Sequence, residues 1–361
     1  MPEAKPKKRL LSLDVLRGIT VAGMIVVNNA GGPQSYDSLR HSAWNGMTPC
    51  DLVFPFFLFI MGVSTYIALR KYQFRPSGTV VRKVLKRTLL ILLIGIGIHW
   101  FEYACKGDFL PFDHLRLTGV LQRIALCYCA ASFLALYLPH KWMGWIAGGV
   151  LAAYGVVLLA ANGYAPDETN LLSVIDRRLL GADLLYRKSP VDPEGLFSTL
   201  PSIAHTLIGF CCGRIIMESD TLGKKVIGLF VAGFLLMSAG FLLTEALPLN
   251  KRIWSPSFAL ATCGLAAMLQ ATLMYFIDLK DKRRWCRFFE VFGVNPLFLY
   301  VLSELLAIVI SVTGVKPPVY GAILALVPDP YLASAFYSLL FMLLMGAAGW
   351  PLYRKKIYIK L

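Results

Sequence analysis

The chain has 361 residues, 57% of them hydrophobic and 16% charged, and a mean hydropathy of +0.62. A water-soluble domain sits nearer about 45–50% apolar with about a quarter of its residues charged, so this composition excludes intrinsic disorder and argues against a nucleic-acid-binding globule. Yet 36 Lys and Arg against 21 Asp and Glu give a net charge of +15, which leaves an all-α, multi-span membrane protein whose cations must be parked in particular loops.

Apolar runs of about 20 residues predict ten spans, at 13–30, 52–69, 88–103, 118–137, 142–161, 197–216, 226–247, 257–277, 291–312 and 332–353. One set of loops holds 24 basic residues, among them Lys5, Lys7, Lys8 and Arg9, seven between 70 and 87, and five between 280 and 287. The alternate set holds 10: Arg40, Lys106, Arg116, Arg177, Arg178, Arg187, Lys188, Lys251, Arg252 and Lys316. The bias of Lys and Arg toward the cytoplasm then places both termini inside. The first run carries Asp14 and Arg17 and no clean cleavage site follows it, so it reads as a retained span. The expected organisation is a single integral-membrane domain over 1–361, with a basic cytoplasmic N-terminus at 1–12, an outer loop at 162–195 long enough to cap a cleft, and a cytoplasmic tail at 354–361.

The eight cysteines form no C-x-x-C pair and most lie in apolar runs, where they read as small packing residues. Cys50 and Cys105 share the expected outer side and could pair. No zinc spacing or phosphate-binding loop occurs, so no metal is expected. The Gly209-x-x-x-Gly213 and Gly144-x-x-x-Gly148 spacings both suit close helix packing.

Ionisable groups inside spans are expensive and mark function. Asp14 and Arg17 lie one helical turn apart, either as a local pair or with Arg17 turned to an anionic ligand. Asn28, Asn29, His41 and Asp51 gather at the outer ends of the first two spans, with His99, Glu102, Gln122 and Arg123 at similar depth. Each has a structural alternative. Thr48-x-x-Asp51 with Pro49 reads as a capping box, His99 and Glu102 can satisfy each other, and Arg123 can pair with Glu102 or Asp51. His41 has no obvious local mate, in a loop beside Trp44 and Asn45.

The segments SLDVLRGITVAGMIVVNN (12–29) and LRHSAWNGMTPCDLVFPFFLFIMG (39–62) closely resemble the opening of the heparan-α-glucosaminide N-acetyltransferase family. LTGVLQRIALCY (117–128), STLPSIAHTLIGFCCG (198–213) and FGVNPLFLYVLSELL (292–306) also look like family landmarks. The resemblance implies a transmembrane enzyme that moves acetyl from cytoplasmic acetyl-CoA to the amino group of a glucosamine-type sugar across the membrane. It implies His41 as the catalytic residue and Asn28, or its neighbour Asn29, as the family's asparagine. It suggests a bacterial inner-membrane member without the large luminal N-terminal domain of the animal enzymes, an acceptor other than heparan sulfate, and a homodimer.

Chemistry assigns the remaining roles. Asp51 would orient His41 as a triad carboxylate does, and Asn28 would donate to the thioester oxygen. Arg17, Arg123 and Asn295 are the expected acetyl-CoA contacts, supplemented by the cationic stretches 70–87 and 280–287 facing its phosphates. The pantetheine arm is shorter than a hydrocarbon core of roughly 30 Å, so the headgroup would sit recessed and the acetyl site in the outer half. Trp44, Asn45, Asn29 and Glu304 are the expected sugar contacts. The bilayer is the other partner, and no nucleic acid is expected. An O-acyltransferase of envelope polysaccharide remains a rival, as does a proton-coupled transporter using buried carboxylates and His205.

Overall fold

A computed structural model describes residues 10–186 and 189–359. The expected cytoplasmic cations Lys5, Lys7, Lys8, Arg9 and Lys360, and Arg187 and Lys188 of the expected outer loop, lie outside the described residues. Within them the fold is all helical, with no strand. The chain order is α1 (Leu11–Asn28), α2 (Val53–Arg70, entered through the 3-10 turn Pro49–Leu52), α3 (Gly78–Cys105), α4 (Val120–Tyr137), α5 (Met143–Ala160), α6 (Leu171–Leu180), α7 (Thr199–Glu218), α8 (Leu222–Leu242), α9 (Pro256–Leu273), α10 (Cys286–Val294), α11 (Pro296–Val312), α12 (Lys316–Leu326) and α13 (Pro330–Arg354).

Among the described residues nine helices are long and apolar enough to cross a membrane, and α10 with α11 make a tenth if that bent pair is one span. The ninth expected span, 291–312, is therefore not one rod: α10 and α11 meet at 79°. Asn295-Pro296 causes the break. Pro296 brings no N–H, and its ring keeps Asn295 out of the helical region, at φ −126° and ψ 59°. The third span also differs. Ser77 caps α3 by accepting from the Val80 N–H at 3.4 Å, so the helix starts ten residues before the apolar run and Arg82, Lys83, Lys86 and Arg87 ride on it rather than in a loop.

The fold is centred on α2, which packs on α1, α4, α7 and α9. Small residues permit that closeness. A side chain at Gly209 would overlap the Phe59 carbonyl oxygen, and one at Gly62 would overlap that of Thr206, so α2 and α7 touch backbone to backbone. The equally spaced Gly144 and Gly148 face open space. Identical spacing therefore yields a helix contact in one place and none in the other, because only Gly209 and Gly213 meet a partner helix. The outward faces of α3, α8 and α13 carry exposed Leu85, Leu89, Leu93, Phe230, Phe234, Leu340 and Leu344, at the i, i+4 spacing of stripes turned to lipid. The helix termini sort into two ends. One gathers Asn28, Asp51, His99, Gln122 and the loops around 40 and 250. The other gathers the starts of α1, α3 and α8 and the ends of α2, α7 and α13.

Candidate active site

At the first of these ends a cavity of about 540 Å³ opens between α1, α3, α4, α11 and the 162–195 loop. Its wall includes Asn28, His41, Asp51, His99, Gln122 and Glu304, which are scattered over nearly 280 positions of sequence. The 162–195 segment closes one side through Tyr186, Ser189, Pro193 and Glu194.

Local chemistry sets the position of Asp51. Thr48 and Asp51 form a capping box around the turn that starts α2, with Pro49 in its first turn. One carboxylate oxygen, Oδ2, accepts from the Thr48 N–H, the Thr48 hydroxyl and the Ser42 N–H, each at 3.1 Å. That pins the loop carrying His41 onto the helix start. The other oxygen, Oδ1, stands 2.8 Å from His41 Nδ1. Asp51 is fully buried, whereas half of the His41 side chain is exposed in the cavity. Capping and orientation are thus carried by different oxygens of one carboxylate.

Lys251, from the segment before α9, adds a cation. Its Nζ lies 3.0 Å from His41 Nδ1, 3.4 Å from Nε2 and 3.4 Å from Asp51 Oδ1. Nδ1 holds only one partner at a time. A neutral imidazole that donates Nδ1–H to Asp51 keeps its lone pair on Nε2, while the ammonium balances the carboxylate. Across the cavity, Asn28 donates to Glu304 Oε1 at 3.3 Å, with Tyr300 beside them.

A second charged set faces this one. Arg116 reaches Asp192 at 2.9 Å and Glu194 at 2.8 Å and lies over the Tyr186 ring. Asp192 also accepts from the Thr118 hydroxyl at 2.5 Å and from the Tyr186 and Glu194 N–H groups at 2.8 Å. Burial alone would raise its carboxyl, but Arg116 and these donors outweigh burial and hold it below the usual range. Arg252 donates to the Ser189 hydroxyl at 2.8 Å. The lid is therefore tied to the bundle by buried charge and hydrogen bonds as well as by an apolar cluster of Leu172 and Val191 with Tyr154, Leu158 and Ile253.

The model of the family described as heparan-alpha-glucosaminide N-acetyltransferase, catalytic, matches residues 9–240. The chain belongs to that family. It is similar to the heparan-alpha-glucosaminide N-acetyltransferase of Homo sapiens, at 29% identity over 82% of this chain and 53% of that protein. It is also similar to the protein of the same name from Mus musculus, at 27% identity over 82% of this chain and 54% of that one. The chain spans about half the length of the curated relatives it matches. Within the family match lie Asn28, His41, Asp51, Arg116 and Glu194, whereas Lys251, Arg252, Tyr300 and Glu304 come from beyond it.

The remaining expected site residues of this family member are placed elsewhere. Asn29 is buried, donates back to the Ile25 carbonyl at 2.8 Å and accepts at its own carbonyl from Ser338, so Asn28 is the asparagine of the pair that faces the cavity. Trp44 donates to the Tyr164 carbonyl at 2.9 Å and packs against the cluster of Tyr154, Leu158, Leu172, Val191 and Ile253, while Asn45 bonds Asn250 at 3.1 Å; neither lines the cavity. Arg17 is engaged by Asp14 at 2.9 Å, Ser64 at 3.0 Å and the Gly293 carbonyl. Arg123 is buried over the Trp254 ring and donates to the Gly195 carbonyl and the Ser198 hydroxyl, rather than to Glu102 or Asp51. Asn295 grips the C-terminal segment, donating to Ile357 and accepting from Ile359 at 2.8 Å each. Glu102 bonds Lys106 at 2.6 Å rather than His99, which lines the cavity. Cys50 and Cys105 are both free thiols. His205 donates to or accepts from no cavity group; its Nε2 meets the Pro55 carbonyl in the core.

Sequence reasoning missed Lys251, Arg252, Arg116, Glu194 and Tyr300 as site residues. A signal for the cations was present: they are among the few basic residues on the side where the positive-inside bias predicts few. Cations that break that bias need another reason to be there, and here three of them line the cavity.

Proposed function

We propose that this chain is a transmembrane acetyltransferase that moves an acetyl group from acetyl-CoA to the amino group of a glucosamine-type sugar at the His41 cavity. The observation that carries this reading is the His41–Asp51 pair, clamped at 2.8 Å at the edge of a polar cavity that also holds Asn28. Membership of the N-acetyltransferase family supports the reaction class.

Chemically, acetyl transfer to an amine needs a group that removes a proton from the nucleophile and a donor for the thioester oxygen as it gains negative charge. His41 Nε2 takes the proton from the attacking amine. The amine nitrogen bonds to the carbonyl carbon, the C–S bond breaks, and the CoA thiolate leaves with a proton returned from the imidazolium. In a two-step variant Nε2 itself attacks the thioester carbon, the C–S bond breaks and the CoA thiolate leaves; the amine then attacks the acetyl-imidazole, its C–N bond to Nε2 breaks, and the proton the amine gives up ends on the thiolate. Asp51 fixes the tautomer in both routes, and the second N–H of the Asn28 amide, left over from its bond to Glu304, faces the developing oxyanion. Acetyl-CoA would come from the end where most cations cluster, its phosphates meeting the basic residues of 70–87 and Lys280, Lys282, Arg283 and Arg284.

The test is acetyl transfer from radiolabelled acetyl-CoA to glucosamine by the purified protein in vesicles. His41→Ala is expected to lower turnover by at least about 10³-fold while the protein still inserts and folds. Near-normal turnover in that variant would overturn the assignment. Labelled protein in the absence of acceptor would establish the acetyl-imidazole route, and an ester rather than an amide product would redirect the reading to O-acyl transfer.

A further inference from the structure

At the end of the bundle opposite His41, a second pocket of about 500 Å³ lies between the start of α1, the length of α10, the last turns of α13 and the C-terminal segment. It brings together Arg287, Arg354 and Lys356 with Trp350, Tyr353 and Tyr358. None of these three cations forms an ion pair among the described residues. The two acids nearby are engaged otherwise: Asp14 with Arg17, and Glu290 as the acceptor for the Tyr353 hydroxyl at 3.3 Å.

The pocket is built rather than incidental. After α13 the chain turns through Lys356 at φ +54°, and the Ile357 N–H closes on the Leu352 carbonyl at 2.9 Å. Buried Asn295, freed from helix geometry by the α10–α11 break, then holds Ile357 and Ile359 by both ends of its amide. With the segment held in this way, Lys356 in the turn and Tyr358 beyond it both line the pocket. Toward the interior the pocket is closed. Gly18 and Gly293 bring α1 and α10 into backbone contact just above it, and Phe292, Phe341 and Met345 fill the space between α10 and α13. Toward the side, the exposed stripe Leu340, Leu343, Leu344 and Trp350 of α13 leads from the lipid face to its mouth.

We propose that this pocket is a binding site for the phosphate headgroup of an anionic phospholipid. Arg287, Arg354 and Lys356 coordinate the phosphate, Trp350 and Tyr353 lie at the level of the glycerol backbone, and the acyl chains run along α13. An aromatic-flanked set of cations at a helix-end rim, open to lipid and sealed from the protein interior, matches that ligand in charge and in amphipathic shape. The proposal does not depend on the acetyl-transfer reading.

Native mass spectrometry of the full chain in detergent tests it, with palmitoyl-oleoyl phosphatidylglycerol or the phosphatidylcholine of identical chains as probe. Wild type is expected to retain one phosphatidylglycerol in preference to phosphatidylcholine. Arg354→Gln with Lys356→Gln is expected to weaken that retention about tenfold or more. Arg82→Gln with Lys86→Gln, which removes equal charge from the same end outside the pocket, is expected to leave it unchanged. Should the first double variant not fold, Lys356→Gln alone, on the exposed tail, must still weaken retention about threefold. Equal loss in the α3 variant, equal retention of the two lipids, or displacement of phosphatidylglycerol by acetyl-CoA would each overturn the assignment, the last by making the pocket a nucleotide site.

Discussion

Asp51 holds His41 with the one carboxylate oxygen that its capping duty leaves over: Oδ2 closes the start of α2, and Oδ1 stands 2.8 Å from the imidazole. The two tasks separate by substitution. Asp51→Asn retains an oxygen for the cap but loses the carboxylate that fixes the tautomer and pairs with Lys251, so turnover is expected to fall by about 10²–10⁴-fold with a smaller drop in unfolding temperature than Asp51→Ala gives. Asp51→Ala loses both, and adds about 1 kcal/mol of destabilisation. Parallel measurements of turnover and thermal unfolding check this, and an Asp51→Asn protein with unchanged turnover would leave capping as the residue's whole role.

Asn28 is positioned by Glu304 from the far side of the cavity. If its amide meets the oxyanion, Asn28→Ala lowers kcat by about 10²–10³-fold with KM for acetyl-CoA nearly unchanged. A rise in KM at constant kcat would instead make Asn28 a ground-state binding residue.

The two glycine pairs make opposite predictions. Gly209→Ala forces a methyl into the Phe59 carbonyl across the α2–α7 seam and is expected to cost about 2 kcal/mol or more. Gly148→Ala adds a methyl to open space and a better helix former, so stability stays level or rises by up to about 1 kcal/mol. Thermal unfolding in one detergent ranks the two, and equal effects would show that the seam is not tight.

The lid carries its own pH dependence. Asp176 on α6 is buried, its Oδ1 accepts from the Phe197 N–H at 3.2 Å, and its Oδ2 has no hydrogen-bond partner. Burial pushes its carboxyl from 3.8 up to about 6, with Asp192 adding to the rise and Arg123 opposing it. The folded state therefore binds this proton more tightly than the unfolded one. The stability it lends is complete below about pH 4 and is lost as the pH rises through 6. Asp176→Asn is expected to remove that slope and to stabilise the protein at pH 7 on the order of 2 kcal/mol. Unfolding midpoints at pH 4.5 and 7.5 for both proteins check it, and an unchanged slope in the variant would place the titration on another group.

Much of this architecture is legible in the sequence. Apolar run length placed nine spans to within a few residues at most ends, because burying backbone polar groups in lipid demands a helix of about that length wherever the run occurs. The same rule misjudged α3, whose charged first turns are helical by propensity and capping rather than by hydropathy. It also ran through Asn295-Pro296, where local backbone sterics override an apolar run. His41, Asn28 and Asp51 were recognisable from a local motif, since loop, cap and helix start are neighbours in the chain.

Arg17, Arg123 and Asn295 show the limit. In the sequence each is a polar group inside an apolar run and each qualifies as a ligand contact. Their partners, Ser64 and Gly293, Gly195 and Ser198, and Ile357 and Ile359, are supplied by other parts of the chain. Lys251 is the converse, an ordinary loop lysine until packing sets it 3.0 Å from an imidazole 210 residues away. Sequence alone determined that the chain is a helical membrane protein, which cations crowd one set of loops, and which short motif carries the histidine, because those depend on hydropathy and near neighbours. Only the tertiary structure decided which buried charges are satisfied and which face a cavity. That outcome depends on which helices come into contact, and the same polar side chain is inert or available according to what meets it there.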